Sequence, residues 1–254
     1  MAKSIFITGA ASGIGKATAL RFAAEGWFVG LFDKNEAGVA EVAAQIGKGK
    51  SCYGGLDVTD PDAYKSAADH FAHHTGGKLD ALFNCAGIMF MGPFESVSLK
   101  QHKLTYDINI FGVVNGIYHC LDMLKRTPGS HIITMCSASA FYGVPDLSTY
   151  SSSKFAVKGL TESLSIEFEK HGITVTDLMP LYVNTPMVQT QSIVNGSLKT
   201  FGANLTPDLI ADIVWKAVHS KKVHWVPTLK LKVLSQVARY FPFMERTVMK
   251  LISG

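Results

Sequence analysis

The stretch Thr8-Gly9-Ala10-Ala11-Ser12-Gly13-Ile14-Gly15 decides how this chain folds. Before it lies a short apolar run, Ser4-Ile5-Phe6-Ile7. After it, residues 15–26 repeat apolar side chains at three- and four-residue intervals and end at a glycine, which predicts a helix. A strand that ends in a glycine-rich turn and opens a helix is an anion site. The helix N-terminus offers free N–H groups and a partial positive charge, and glycine lets a pyrophosphate approach the backbone. The spacing Gly-x-x-x-Gly-x-Gly alone is also compatible with a plain tight turn, so the rest of the chain must decide.

Outward from this turn, short apolar runs alternate with helical patterns. Strands are expected near residues 4–8, 28–33, 51–58, 81–86, 131–137, 174–179 and 223–227. Thr206-Pro207-Asp208 and Thr59-Asp60-Pro61 have the form of helix starts, with a capping side chain ahead of proline. Alternation of this kind predicts an α/β protein whose parallel sheet is covered on both faces. There is no internal repeat or linker, so residues 1–254 are expected to form one domain.

Composition excludes several classes. Apolar residues make up 47% of the chain, a globular figure. The formal charge of +4 is too small to imply nucleic acid. No apolar run reaches the ~18 residues of a spanning helix, and the N-terminus lacks the pattern of a secretion signal, so a cytoplasmic protein is expected. Cys52, Cys85, Cys120 and Cys136 form no Cys-x-x-Cys pair and sit in apolar stretches. They read as buried, reduced thiols, and no metal site is expected.

Asp33 ends the second expected strand, 18 residues after Gly15. An acid there accepts hydrogen bonds from both adenosine ribose hydroxyls and repels a 2′-phosphate, which favours NAD(H) over NADP(H). Lys34 follows at once and softens that preference, so NADP(H) stays open. Further on, Tyr150 and Lys154 are four residues apart and share a helix face. A free tyrosine has a pKa near ~10 and is a poor base at neutral pH. A neighbouring ammonium and a cationic nicotinamide both favour the phenolate. Tyr150 therefore reads as general acid/base, with Lys154 lowering its pKa and the Ser137 hydroxyl stabilising the substrate oxygen.

The glycine turn, Asp33, Asn84-Cys85-Ala86-Gly87, Asn109, Ser137 and Tyr150…Lys154, taken in order, resemble the short-chain dehydrogenase/reductase family from residue 4 to about residue 187. The resemblance implies a Rossmann-type doubly wound sheet of seven parallel strands in the order 3-2-1-4-5-6-7. It implies that Asn109 anchors a water linking Lys154 to solvent and that Lys154 holds the nicotinamide ribose. By position, it implies cofactor contacts at Gly9, Ala11, Ser12, Gly13, Ile14, Gly15, Asp33, Lys34, Asp57, Val58, Asn84, Ala86, Gly87, Tyr150, Lys154, Pro180, Val183 and Thr185. It also implies a homodimer or homotetramer joined through the helices carrying Asn109 and Tyr150. Two positions depart from the family pattern. Cys85 replaces an asparagine, and Leu181 follows Pro180 where the family has glycine, which puts the contacts of that loop in question.

For the substrate side the candidates are Phe90, Ser137, Ser139, Tyr150, Leu181, Tyr182 and Met187, with Met89, Phe94, Ala138, Phe141 and Tyr142 nearby. The set is mostly apolar and has no arginine to clamp an acid, so a hydrophobic secondary alcohol or ketone is expected. Residues 185–202 are polar with no steady period and read as a substrate lid. Residues 220–254 carry seven basic residues against one acid, Glu245. Leu234, Val237, Ala238 and Phe241 recur there at helical spacing, with Trp225, Tyr240 and Phe243 nearby. Such a basic amphipathic segment either packs over the site or a neighbouring subunit, the favoured alternative, or touches an anionic membrane surface. Other functional classes compatible with the pattern are a non-catalytic nicotinamide-binding regulator, an NADP-dependent acyl-thioester ketoreductase and a sugar-nucleotide epimerase. The complete Asn109-Ser137-Tyr150-Lys154 set argues against the first, Asp33 against the second, and chain length with the glycine spacing against the third.

Overall fold

The computed structural model describes residues 2–228, 231–232, 243 and 245–253. Seven parallel strands form one sheet in the order β3-β2-β1-β4-β5-β6-β7, as expected. They are β1 (Ser4–Thr8), β2 (Phe28–Asp33), β3 (Ser51–Gly55), β4 (Ala81–Asn84), β5 (His131–Met135), β6 (Thr174–Leu178) and β7 (His224–Trp225). The helices are α1 (Gly13–Ala24), α2 (Glu36–Ile46), α3 (Pro61–Thr75), α4 (Leu99–Tyr106), α5 (Gly112–Lys125), α6 (Ser148–Glu167), α7 (Pro186–Gln189), α8 (Gly196–Phe201), α9 (Pro207–Ala217) and α10 (Glu245–Ser253). Among the described residues no helix is long and apolar enough to cross a membrane.

All five residues of β1 are buried, because helices cover the sheet on both sides. The two-residue strand period then sorts its side chains. Ile5 and Ile7 join Phe22, Leu31 and Val214 in one core. Phe6 points to the other face and stacks on Phe32 at 4.3 Å, with Tyr64 and Phe71 close by. Each fully buried Phe contributes roughly 1.5–3 kcal/mol. Several helices start on side-chain caps, among them Asn35 on α2, Asp60 ahead of Pro61 on α3, the Ser98–Gln101 capping box on α4, and Thr206 on α9.

β1 has β2 on one side and β4 on the other. The winding direction therefore reverses between β1 and β4, and a crevice opens at the carboxyl ends of these strands. All strands but β1 and β2 are shorter than their apolar runs, β3 and β7 the most. β3 stops at Gly55, and Leu56, Asp57 and Val58 peel away to line the crevice. β7 pairs only through His224 and Trp225, whose partners are Asp177 and Leu178 at the end of β6.

Candidate active site

The crevice is a cleft of about 520 Å³. At its β1 end the three glycines each meet a separate steric demand. Gly9 has φ +70° and lies so close to β4 that an added Cβ would sit 3.0 Å from the Ala86 backbone. Gly13, at φ +51°, would crowd Thr185 at 3.2 Å. At Gly15 a Cβ would fall 2.1 Å from the Gly9 carbonyl oxygen, so no other residue lets α1 start so near the strand. Ser12 is the N-cap of α1 but its hydroxyl caps nothing, which leaves the first N–H groups of the helix without a side-chain acceptor. Thr8 ties the turn to β4, its hydroxyl accepting from the Cys85 and Ala86 amides at 3.1 Å each.

Asp33 stands at the end of β2. Its carboxylate accepts from the Ala11 amide at 3.0 Å and the Asn35 amide at 2.9 Å. These bonds aim it at the cleft, which it lines together with Lys34. The Lys34 ammonium is paired with Asp57 at 3.0 Å. Asp57 in turn accepts from the Thr59 hydroxyl and amide, and it is held below the usual carboxylate range chiefly by the bond from the Thr59 hydroxyl.

Tyr150 and Lys154 lie one turn apart on α6, and Ser137 follows β5; all three line the cleft. The Ser137 hydroxyl faces the Tyr150 phenol closely enough to favour its ionised form, and it accepts from the Ser139 amide at 3.2 Å. Lys154 Nζ lies 5.5 Å from the Tyr150 ring centroid and donates to the Met135 carbonyl at 2.8 Å. Burial pushes the Tyr150 phenol well above its ordinary value, and the neighbouring Ser137 hydroxyl offsets only part of that. Burial also lowers the pKa of Lys154. A buried phenolate is costly unless a cation stands directly against it, and here the ammonium is engaged on a carbonyl.

Asn109 is fully buried within a π-helical turn, Asp107–Phe111, that joins α4 to α5. Its side-chain amide accepts from the Ile88 amide at 2.9 Å and donates to the Ile88 carbonyl at 3.0 Å and to Ser153 at 3.1 Å. A Cβ at Gly87 would sit 3.2 Å from Asn109 Oδ1 and 3.9 Å from Lys154 Nζ, so that glycine keeps the space between them open. π-Turns inside helices are frequent at functional sites.

Of the expected cofactor residues, Gly9, Ser12, Gly13, Ile14, Gly15, Asp33, Lys34, Asp57, Val58, Ala86, Gly87, Tyr150, Lys154, Pro180, Val183 and Thr185 line the cleft. Ala11 and Asn84 do not. Ala11 acts through its amide on Asp33, and the buried Asn84 side chain faces Gly116 on α5. On the substrate side Ser139, Leu181, Tyr182 and Met187 line the cleft, with Met89, Ala138, Phe141 and Tyr142. Phe90 does not, and Phe94 is exposed and stacks on His102. Leu181 needs no glycine, since Asp146 is the only non-glycine residue of positive φ among those described.

Several lining residues have no local signal in the sequence. Leu104, Ile108, Val144, Leu147, Val188, Ser197, Phe201, Leu231, Glu245 and Met249 reach the cleft from distant elements. Residues 185–202 fold into α7 and α8 and are tied down by long-range bonds. Gln191 accepts from the Met91 amide at 3.1 Å and donates to the Met89 carbonyl at 3.2 Å. The Tyr182 hydroxyl bonds Ser197 at 2.6 Å and Asn195 at 3.2 Å. In the basic segment, Leu234, Val237, Ala238, Tyr240 and Phe241 lie outside the described residues. Its described part turns to the cleft through Leu231, Glu245 and Met249, and α10 packs on α8.

A glycine-cradled crevice at the reversal point of a parallel sheet, with a Ser–Tyr–Lys group at its far end, defines a Rossmann-type protein. Residues 3–194 match the short chain dehydrogenase family. The 2,5-dichloro-2,5-cyclohexadiene-1,4-diol dehydrogenase of Sphingobium indicum is 38% identical over 190 residues, covering 74% of this chain and 75% of that protein. The L-2,3-butanediol dehydrogenase of Corynebacterium glutamicum is 36% identical over 192 residues, covering 74% of each. Among solved structures, 3-ketoacyl-(acyl-carrier-protein) reductase from Brucella melitensis complexed with NADH superposes with a TM-score of 0.80 at 28% identity, over 88% of this chain and 96% of that one. The chain belongs to the short-chain dehydrogenase/reductase family.

Proposed function

We propose that this chain is an NAD(P)-dependent oxidoreductase that interconverts a hydrophobic secondary alcohol and its ketone, with NAD(H) preferred. The observation that carries this is the meeting, in one cleft, of Ser137, Tyr150 and Lys154 with a dinucleotide-shaped wall built from Gly9, Gly13, Gly15 and Asp33. The wall fits the cofactor: the three glycines let the turn pack tightly against Ala86, Thr185 and its own Gly9 carbonyl, and the α1 N-terminus is free of a side-chain cap. The bound nicotinamide supplies hydride donation and acceptance. Asp33, oriented by two backbone amides, is the acceptor for the adenosine ribose hydroxyls and repels a 2′-phosphate. Lys34 is the group that would meet such a phosphate, and its engagement with Asp57 supports the preference for NAD(H).

Tyr150 takes the hydroxyl proton in oxidation and returns it in reduction. Ser137, beside the phenol in the cleft, holds the substrate oxygen and steadies developing negative charge. Lys154 is the cation within reach. Moved off the Met135 carbonyl and onto the phenol side, it lowers the cost of the phenolate. Asn109 positions the loop after β4 at Ile88 and, through Ser153, the α6 turn between Tyr150 and Lys154. Because burial holds the phenol protonated, oxidation is expected to speed up as pH rises toward the tyrosine's pKa. Reduction, which needs the protonated phenol, slows over the same range.

Among the described residues, Met89, Phe141, Leu181, Tyr182 and Met187 line the substrate end with no cationic group for a carboxylate. An alicyclic or small aliphatic diol, as in the names of the two dehydrogenase relatives, is the first class to offer. The exposed Leu99, Tyr118, Phe155 and Ile166 on α4, α5 and α6 support a homo-oligomer joined through these helices. The decisive experiment follows nicotinamide absorbance over a panel of alcohols and ketones with NAD(H) and NADP(H), alongside Tyr150→Phe. NAD-linked turnover that falls by about 10²–10⁴-fold in the mutant with cofactor affinity retained is the expected result. Cofactor binding without turnover anywhere in the panel would favour a regulatory role instead.

A further inference from the structure

Away from the cleft, the fold gathers three ligand-type side chains that the sequence keeps apart. Cys52 lies on β3, buried against α3. His70 and His74, four residues apart on α3, share the helix face turned toward it. One ring nitrogen of each histidine and the Cys52 Sγ lie within 4.8 Å of one another. The two imidazoles stand nearly perpendicular at 5.0 Å. Both are steadied by the sheet: Phe28 stacks on His74 at 5.9 Å, and Phe32 meets His70 edge-on at 6.5 Å.

We propose that Cys52, His70 and His74 form a binding site for a borderline-soft divalent metal ion, with Zn²⁺ the best match. One thiolate and two imidazoles are the donors such ions select, whereas Mg²⁺ and Ca²⁺ require oxygen. Tetrahedral Zn–S and Zn–N bonds put ligand atoms about 3.3–3.6 Å apart, so side-chain adjustments of roughly 1 Å close the site. Both histidines are exposed, which gives a solvent path and leaves the fourth position to water. Asp69, beside His70 in sequence, is engaged with Lys65 at 2.6 Å and does not compete. The absence of a Cys-x-x-Cys pair gives no hint of this site, because its ligands converge only when β3 packs on α3.

A bound ion would clamp β3, the edge strand of the sheet, to α3. β3 runs directly into Leu56, Asp57 and Val58, which line the cleft. The clamp would therefore brace that wall from behind without entering it.

The test uses the whole protein, freed of metal and titrated with Co²⁺ as a spectroscopic probe, then with competing Zn²⁺. A sulfur-to-cobalt charge-transfer band with tetrahedral visible bands, displaced by Zn²⁺, is expected. Cys52→Ser should abolish the charge-transfer band. His74→Ala should weaken binding by at least the roughly 10- to 100-fold that loss of a mere supporting partner costs a metal site. His73→Ala should change neither. If circular dichroism shows that Cys52→Ser does not fold, the exposed pair His70→Ala/His74→Ala asks the same question. Absence of the charge-transfer band in the wild type, or binding that survives the ligand substitutions, overturns the proposal.

Discussion

The two ends of the cleft are built differently. The end near β1 is made by backbone against backbone. Gly15 faces the Gly9 carbonyl, Gly9 faces Ala86, and Asp33 is fixed by two amides within two short loops. The end near Tyr182 is made by side chains reaching across the chain. Gln191 bonds Met89 and Met91 about a hundred residues away, Asn195 holds Tyr182, and Glu245 and Met249 come from the last helix. Sterics at the first end tolerate almost no substitution. Packing at the second can be exchanged piece by piece, which suits a wall that selects among substrates.

The sharpest way to break this contrast is Gly15→Ala. A Cβ 2.1 Å from a carbonyl oxygen cannot be absorbed by a flexible side chain, so α1 must shift. A loss of stability of at least the 1–3 kcal/mol typical of overpacking is expected, with cofactor binding abolished. Thermal melts and cofactor titration check both, and near-normal binding would mean that the turn is softer than described. Next comes Asp33→Asn. Hydrogen bonds to a charged group are worth about 1.5–3 kcal/mol, so NAD(H) affinity should fall roughly 10- to 100-fold while NADP(H) affinity falls less. Parallel loss with both cofactors would place Asp33's role in the turn alone.

Tyr182→Phe tests the other end. Its hydroxyl makes two neutral bonds, at 2.6 and 3.2 Å, each with a net worth of about 0.5–1.5 kcal/mol. A several-fold rise in KM at unchanged NAD(H) affinity is expected in steady-state kinetics. An equal loss of cofactor binding would join the two ends into one unit. The smallest effect lies behind the site, at His224. Its Nδ1 bonds buried Asp177 at 2.9 Å, and its pKa is raised, first by that bond. A raised histidine stabilises fully below its unfolded pKa of about 6.5, and that contribution is lost as pH rises through the folded value. The gap in Tm between wild type and His224→Gln should therefore be wider near pH 6 than near pH 9, by roughly 2–4 °C.

What was legible in the sequence follows the same division. The glycine turn, Asp33 and the Tyr150/Lys154 pair depend on spacing within one loop or one helical turn, so their geometry is written locally. The sheet order follows from alternating strands and helices together with the family resemblance. Phe90, by contrast, sits next to a lining residue yet misses the cleft. Ala11 and Asn84 also stand off it, because the loop contributes an amide in one case and a buried support in the other. The π-turn around Asn109 has no periodic signature, since one extra residue in a helix leaves the apolar pattern nearly unchanged. The burial of Tyr150 is equally illegible, because spacing reveals a neighbouring charge and says nothing of desolvation. The bonds of Gln191 and Asn195 join segments that only the finished fold brings together.

The position of α10 makes the two chain ends unequal as handles. The N-terminus enters β1 at the amino ends of the strands, opposite the cleft, whereas α10 carries Glu245 and Met249 on the cleft wall. A purification tag, reporter or immobilising linker fused at the N-terminus leaves the entrance clear. The same fusion at the C-terminus stands at the door, and activity measured through it describes the fusion as much as the enzyme.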